Sequence, residues 1–162
     1  MIFTTDDFGI SQKADERILK LAEAGVLDRV AVMTRGTATA SSLERLAKSG
    51  VKIDLHAEIR DDIDPNRTLR AGAIGRILIF VKNFLFGENR VSRVAERWDA
   101  QIRDFQSTFG RYPDGLNSHE HTHFFPPYFR TFLFLARKYN IPFVRFGRRS
   151  FPGNASVSHI LN

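Results

Sequence analysis

Residues 29–59 read RVAVMTRGTATASSLERLAKSGVKIDLHAEI, and this stretch decides the fold. RVAVMT, residues 29–34, is short and rich in β-branched valine, as strands are. SSLERLAKSG, residues 41–50, reads as a helix. Ser41 and Glu44 stand at capping-box spacing, and Gly50 supplies a stop. VKIDLHAEI, residues 51–59, is a second strand. Working outward toward the N-terminus, MIFTT reads as a strand. SQKADERILKLAEAG, residues 11–25, reads as a helix with Ser11 as N-cap, an apolar stripe of Ile18, Leu21 and Ala22, and Gly25 as terminator. Strand, helix, strand, helix, strand is the pattern of a parallel α/β sheet or barrel.

Toward the C-terminus, DDIDPN (61–66) is a loop. AGAIGRILIFVKNFLFG (71–87) is the most apolar run, interrupted by Arg76 and Lys82. A bilayer span needs about 20 apolar residues, so this run reads as a packed helix or lid, with an interfacial membrane helix as the minor alternative. ENRVSRVAERWDAQIRDFQSTFG (88–110) is a long amphipathic helix with Val91, Val94, Ala95, Trp98, Ile102 and Phe105 on one face. PDGLNSHEHTH (113–123) is a turn leading into a strand. PPYFRTFLFLARKYN (126–140) is a helix opened by proline, and IPFVRFG (141–147) is a further strand. No repeat or linker divides the chain.

The 162 residues are 43% hydrophobic and include 15 phenylalanines, enough for one well-filled core. There are no cysteines, which excludes disulfides, thiolate metal sites and thiol catalysis. MIFTTDDFG lacks a basic segment followed by an apolar one, so no signal peptide is visible and the expected location is cytoplasmic. The net charge is +6, concentrated in Arg67, Arg70, Arg76, Lys82, Arg90, Arg93 and Arg97 and again in Arg145, Arg148 and Arg149. No nucleic-acid motif accompanies it, so it reads as a solvated basic face and no nucleic-acid partner is expected.

Functional groups of parallel α/β folds gather at the carboxyl ends of strands. That rule selects Asp6 and Asp7 after the first strand, His56 in the third and the SHEHTH segment in the fourth. Adjacent carboxylates and several imidazoles on one rim form a hydrolytic metal-site constellation. A divalent ion lowers the pKa of its bound water from about 15.7 toward 7, and a neighbouring unliganded carboxylate can take that water's proton. Each position has a plainer reading. Asp-Asp-Phe-Gly also suits a turn and helix cap, and a histidine in an apolar strand is commonly a hydrogen-bonded core residue. His119, His121 and His123 are harder to explain structurally. In a strand they share one face, and a core has little use for three stacked imidazoles. A histidine-rich strand on a polar surface is the alternative.

TTDDFGIS, IDLHAE and PDGLNSHEHTHFFPP, in this order over nearly the whole chain, resemble the YdjC-like carbohydrate deacetylases, which include chitooligosaccharide and hopanoid-associated members. The resemblance implies an irregular or incomplete (β/α) barrel of mostly parallel strands, polysaccharide-deacetylase-like, as a single domain over residues 1–162 short of the family's C-terminal strands. It implies a divalent metal ion, Zn or Mg, and removal of acetyl groups from N-acetylated sugars or oligosaccharides. Asp7, His56 and His119 then correspond to the metal ligands and Asp6 to the general base. His121, His123 and Glu58 fall near the substrate. There are departures. Where family members have His-Leu-Thr-Leu, this chain has HAEIRDD, so Glu58 and Arg60 alter the local contacts. Family members also carry a later histidine near a Pro-Gly pair, the candidate acid for the leaving amine, and His159 in SVSHILN does not match that setting.

Two rival readings remain at this level. Two histidines and a carboxylate also describe the facial triad of non-haem iron enzymes, although an oxygenase has no need of the extra acid. A non-catalytic metal- or sugar-binding domain, or one completed by a partner such as a second copy in a homo-oligomer, is the other. Peripheral membrane contact through the basic and apolar segments is the least favoured partner expectation.

Overall fold

The computed structural model describes residues 2–59, 82, 84, 87 and 89–145. The loop at 61–66, most of the apolar run 71–87, Arg148, Arg149 and His159 lie outside them. In chain order the described elements are β1 (Thr4–Phe8), α1 (Gln12–Glu23), β2 (Arg29–Val32), α2 (Ala40–Lys48), β3 (Lys52–Ala57), α3 (Val91–Phe109), β4 (Gly115–Ser118), a 3-10 helix (His119–Phe124) and α4 (Pro126–Lys138).

The four strands form one parallel sheet in the order β1-β2-β3-β4. Beyond β4, Val144 forms a parallel bridge with Leu116, so the segment expected as a further strand starts a fifth position. Strands adjacent in space are consecutive in sequence. That is the winding of a β/α barrel and not of a doubly wound sheet, whose order reverses. All carboxyl ends therefore lie along one edge.

Side-chain alternation gives the sheet two unlike faces. In β3, Ile53, Leu55 and Ala57 join the main core with Leu19, Leu46, Trp98 and Ile102. Asp54 and His56 project to the opposite face, yet both are buried. There Arg29 Nε donates to Asp54 Oδ2 at 2.9 Å, and the guanidinium lies 4.2 Å from the centre of the Phe143 ring. Between α3 and α4, Trp98 meets Phe132 and Tyr128 edge-on at 4.2 and 5.8 Å, the arrangement that suits the ring quadrupole.

Three local expectations are corrected. In α1 the buried stripe is Asp15, Ile18, Leu19 and Ala22, while Leu21 is 45% exposed. The buried row is i, i+3, i+4, i+7 counted from Asp15, and Leu21, at i+6 and about 100° round the helix from Ala22, falls outside it. In α2 the N-cap is Thr39, whose Oγ1 accepts from Ser42 N at 3.2 Å. Ser41 already lies inside the helix, and Glu44 pairs with Lys48 at 2.6 Å. The largest change concerns SHEHTH. The strand stops at Ser118, and His119–Phe124 is a 3-10 helix. Ser118 causes the switch, because its Oγ accepts from His123 N at 3.0 Å and from Thr122 Oγ1 at 3.1 Å. Such local side-chain bonds compete with the ladder. The three imidazoles consequently do not share a face.

Candidate metal centre

The first strand runs through both acids instead of ending before them. Its pairing with β2 slips between Thr5 and Phe8, and Asp7 sits at φ 64°. This is a bulge with its second residue left-handed, a region aspartate tolerates better than most residues. In a regular strand Asp6 and Asp7 would point to opposite faces. Here both turn to the carboxyl edge. Asp7 meets His56 and His119, and Asp6 meets Asn117, the register neighbour of His56.

The three groups expected as ligands converge. Asp7 Oδ1 is 3.0 Å from His56 Nε2 and 3.0 Å from His119 Nδ1. The two nitrogens are 3.3 Å apart, and the rings meet at 89°. His56 is buried at the end of β3, whereas Asp7 and His119 are partly exposed, so the cluster has a closed side and an open one. The imidazoles, His119 first and then His56, hold the Asp7 carboxyl well below the usual carboxylate range. Among the described residues these three form the group of histidine and acidic side chains spaced to hold a metal ion.

The donor set fits a divalent cation. Zinc bonds to nitrogen and oxygen at roughly 2.0–2.1 Å in a tetrahedron, which separates neighbouring donor atoms by about 3.3 Å. The three observed separations are close to that edge. Two nitrogens and one oxygen favour zinc-like ions over magnesium, which prefers oxygen donors.

Asp6 is held next to the cluster by other partners. Arg145 Nη1 donates to both of its oxygens at 2.7 Å, and Asn117 Nδ2 donates to Oδ1 at 2.8 Å. Asn117 is itself fixed, its Oδ1 accepting from Ser118 N at 2.7 Å. Arg145, which reads in the sequence as part of a solvated basic face, is thus a partner of the site. Asn117 gives no sequence signal either. Its partner Asp6 lies 111 residues away, and that of Arg145 lies 139 away.

The remaining candidates are placed elsewhere. His123 is 0% exposed. Its Nε2 must donate to Arg145 O at 2.7 Å, because a carbonyl only accepts. Nδ1 therefore accepts from Ser118 Oγ at 2.5 Å. The ring stacks on core Phe132 at 5.0 Å. His123, expected near the substrate, thus ties the 3-10 helix to the backbone of Arg145. His121 is exposed, at φ 54°, and stacks on Phe124 at 5.3 Å. Glu58 is buried, and its backbone N–H and C=O both bond the Gln101 side chain at 2.9 Å.

A singly wound parallel sheet carrying an Asp-His-His cluster on its carboxyl edge, with a tethered acid alongside, defines a class of α/β domain with a candidate metal centre. The chain belongs to the YdjC-like protein family, whose sequence model matches residues 1–161. It is 27% identical over 153 residues to a human carbohydrate deacetylase, covering 90% of this chain and 47% of that protein. It is 29% identical to the carbohydrate deacetylase of Halalkalibacterium halodurans, covering 97% of this chain and 68% of the relative. It is likewise 29% identical to the chitooligosaccharide deacetylase of Enterobacter sp., covering 85% and 56%. The chain thus spans about half the length of the vertebrate relatives it matches. Among solved structures it resembles a protein of Enterococcus faecalis V583 whose proposed role is cellobiose-phosphate cleavage, with a TM-score of 0.70 and 26% identity over 93% of this chain and 59% of that one.

Proposed function

We propose that the chain carries the metal-holding half-site of a carbohydrate deacetylase, which hydrolyses the acetamide of an N-acetylated sugar to acetate and the free amine. The observation that carries this reading is the convergence of Asp7, His56 and His119, with a second carboxylate, Asp6, kept out of the cluster by its own partners. Asp7 Oδ1, His56 Nε2 and His119 Nδ1 hold the cation. When bound, the cation makes water acidic enough to act as hydroxide near neutral pH and polarises the carbonyl it faces.

Asp6 takes the proton of the attacking water. Its Oδ1 accepts from both Arg145 and Asn117, whereas Oδ2 accepts from Arg145 alone. Oδ2 therefore keeps a lone pair for the proton. The guanidinium fixes the plane of the carboxylate, which matters because proton transfer needs a heavy-atom approach of about 2.6–3.2 Å. The tethered acid also favours hydrolysis over the iron-oxygenase reading, which has no use for it.

Acetate release from N,N′-diacetylchitobiose and N-acetylglucosamine tests the proposal. Chelator treatment abolishes release and Zn²⁺ restores it. Asp6→Asn lowers turnover by about 100-fold or more, the span of a lost general base, while metal content stays at the wild-type level. Full activity in that variant contradicts the role given to Asp6.

A further inference from the structure

We propose that Asp15, acting with Gly36 on the opposite side, is a positioning residue that locks the turn presenting Asp6 and Asp7 to the metal centre. The inference rests on the reading of Asp7 as a metal ligand.

The turn follows the bulge directly. Ile10 N donates to Asp7 O at 3.0 Å, closing residues 7–10. Gly9, at φ 103°, occupies backbone space that side-chain-bearing residues rarely enter. The tip at Gly9 is gripped from two directions. From α1, Asp15 Oδ1 accepts from Gly9 N at 2.7 Å. From the loop after β2, Thr37 N and Oγ1 donate to Gly9 O at 2.6 and 3.1 Å. Gly36 lies against the same peptide: a Cβ there would stand 2.3 Å from Gly9 O and 2.8 Å from Gly9 C. No side chain fits without moving the turn.

Asp15 is only 2% exposed, and its Oδ2 is buried without a hydrogen-bond partner. A buried acid satisfied on one oxygen is unfavourable for stability, since unpaired buried polar atoms cost about 1–3 kcal/mol. Burial pushes this carboxyl above its ordinary range, against the opposing pull of the Gly9 amide. The site-facing consequence explains why an acceptor belongs there. Gly9 is two residues beyond Asp7, and a swing of this peptide rotates the left-handed Asp7 that aims its carboxylate at His56 and His119. Residues that orient metal ligands without touching the ion typically alter affinity by about 10–100-fold.

The experiment pairs Co²⁺ titration of the metal-stripped protein with amide hydrogen exchange at Gly9, in Asp15→Asn, Asp15→Leu and Gly36→Ala. The asparagine keeps an oxygen acceptor for Gly9 N–H and should bind Co²⁺ within about threefold of wild type, whereas the leucine and Gly36→Ala should weaken binding by about tenfold or more. Gly9 should stay protected in Asp15→Asn and lose protection in Asp15→Leu. Rescue by asparagine separates positioning from general loss of stability. If Asp15→Leu fails to fold, Asp15→Asn and Gly36→Ala decide the matter together. Wild-type Co²⁺ affinity in Asp15→Leu or Gly36→Ala, or equal loss in Asp15→Asn, overturns the proposal. If the wild type takes up no Co²⁺, the metal reading fails separately, and exchange at Gly9 still shows whether Asp15 holds the turn.

Discussion

Adjacent acids can serve different purposes only if the backbone separates their partners and aligns their directions. Asp7 does this through its left-handed conformation, which directs it to two imidazoles while Asp6 stays with Arg145 and Asn117. Asp7→Asn keeps the size and removes the charge, and we expect cation affinity to fall by at least about tenfold on titration, in the range known for disturbed metal sites. Gly115 sits at an equally confined place beneath the site. A Cβ on it would lie 2.7 Å from Arg29 Nη2, Asp54 Oδ1 and the Phe143 ring. Gly115→Ala should therefore lower unfolding free energy in urea by about 1–3 kcal/mol, as overpacking does. An unchanged midpoint would show that the Arg29–Asp54 pair yields without cost. Asp7, His56 and His119 were legible as candidates because strand ends and residue chemistry select them locally. Asn117, Arg145 and Asp15 were not. An amide, an arginine in a basic stretch and an acid in a helix carry no mark of partners supplied by the fold.

At the scale of elements, the alternation of strands and helices was readable because each period is local and the breaks fall at Gly25, Gly50 and Gly110. The bulge in β1 and the end of β4 were not. Each turns on one or two hydrogen bonds competing with a ladder, and an HxHxH pattern satisfies a strand on paper. Ser118 breaks it. The 3-10 helix that follows depends on a neutral His123, which gives it a particular response to acid. Burial lowers the His123 pKa from 6.5 to about 4, outweighing the bond to Arg145 O. A folded-state value below the unfolded one means that the unfolded chain binds the extra proton first. The associated stability is complete above pH 6.5 and is lost as pH falls toward 4, about 3 kcal/mol in all. Denaturant unfolding at pH 7 and 4.5 should show this slope in wild type. His123→Phe should be less stable at pH 7 and flatter across the same window; an equally steep slope assigns the acid sensitivity to another group.

At the scale of the molecule, the site joins the start of the chain to its middle and to residue 145. β1 supplies the acids, β3 and the end of β4 the imidazoles, and the segment after α4 the arginine. The parallel, singly wound order brings them to one edge. No helix among the described residues is long and apolar enough to cross a membrane, and most of the apolar run 71–87 lies outside them. Because the three candidate ligands come from distant segments, a cation that binds the folded chain there should raise its stability, by about 2.7 kcal/mol at a hundredfold excess over Kd. The thermal midpoint should rise with Zn²⁺ in wild type and not in His56→Ala. The most direct measurement is calorimetric titration of the metal-stripped protein with Zn²⁺, alongside folded Asp7→Ala, His56→Ala and His119→Ala variants. The account predicts one ion per chain in wild type and loss of that site in each variant. No uptake by the wild type, or unchanged uptake in all three variants, would contradict it.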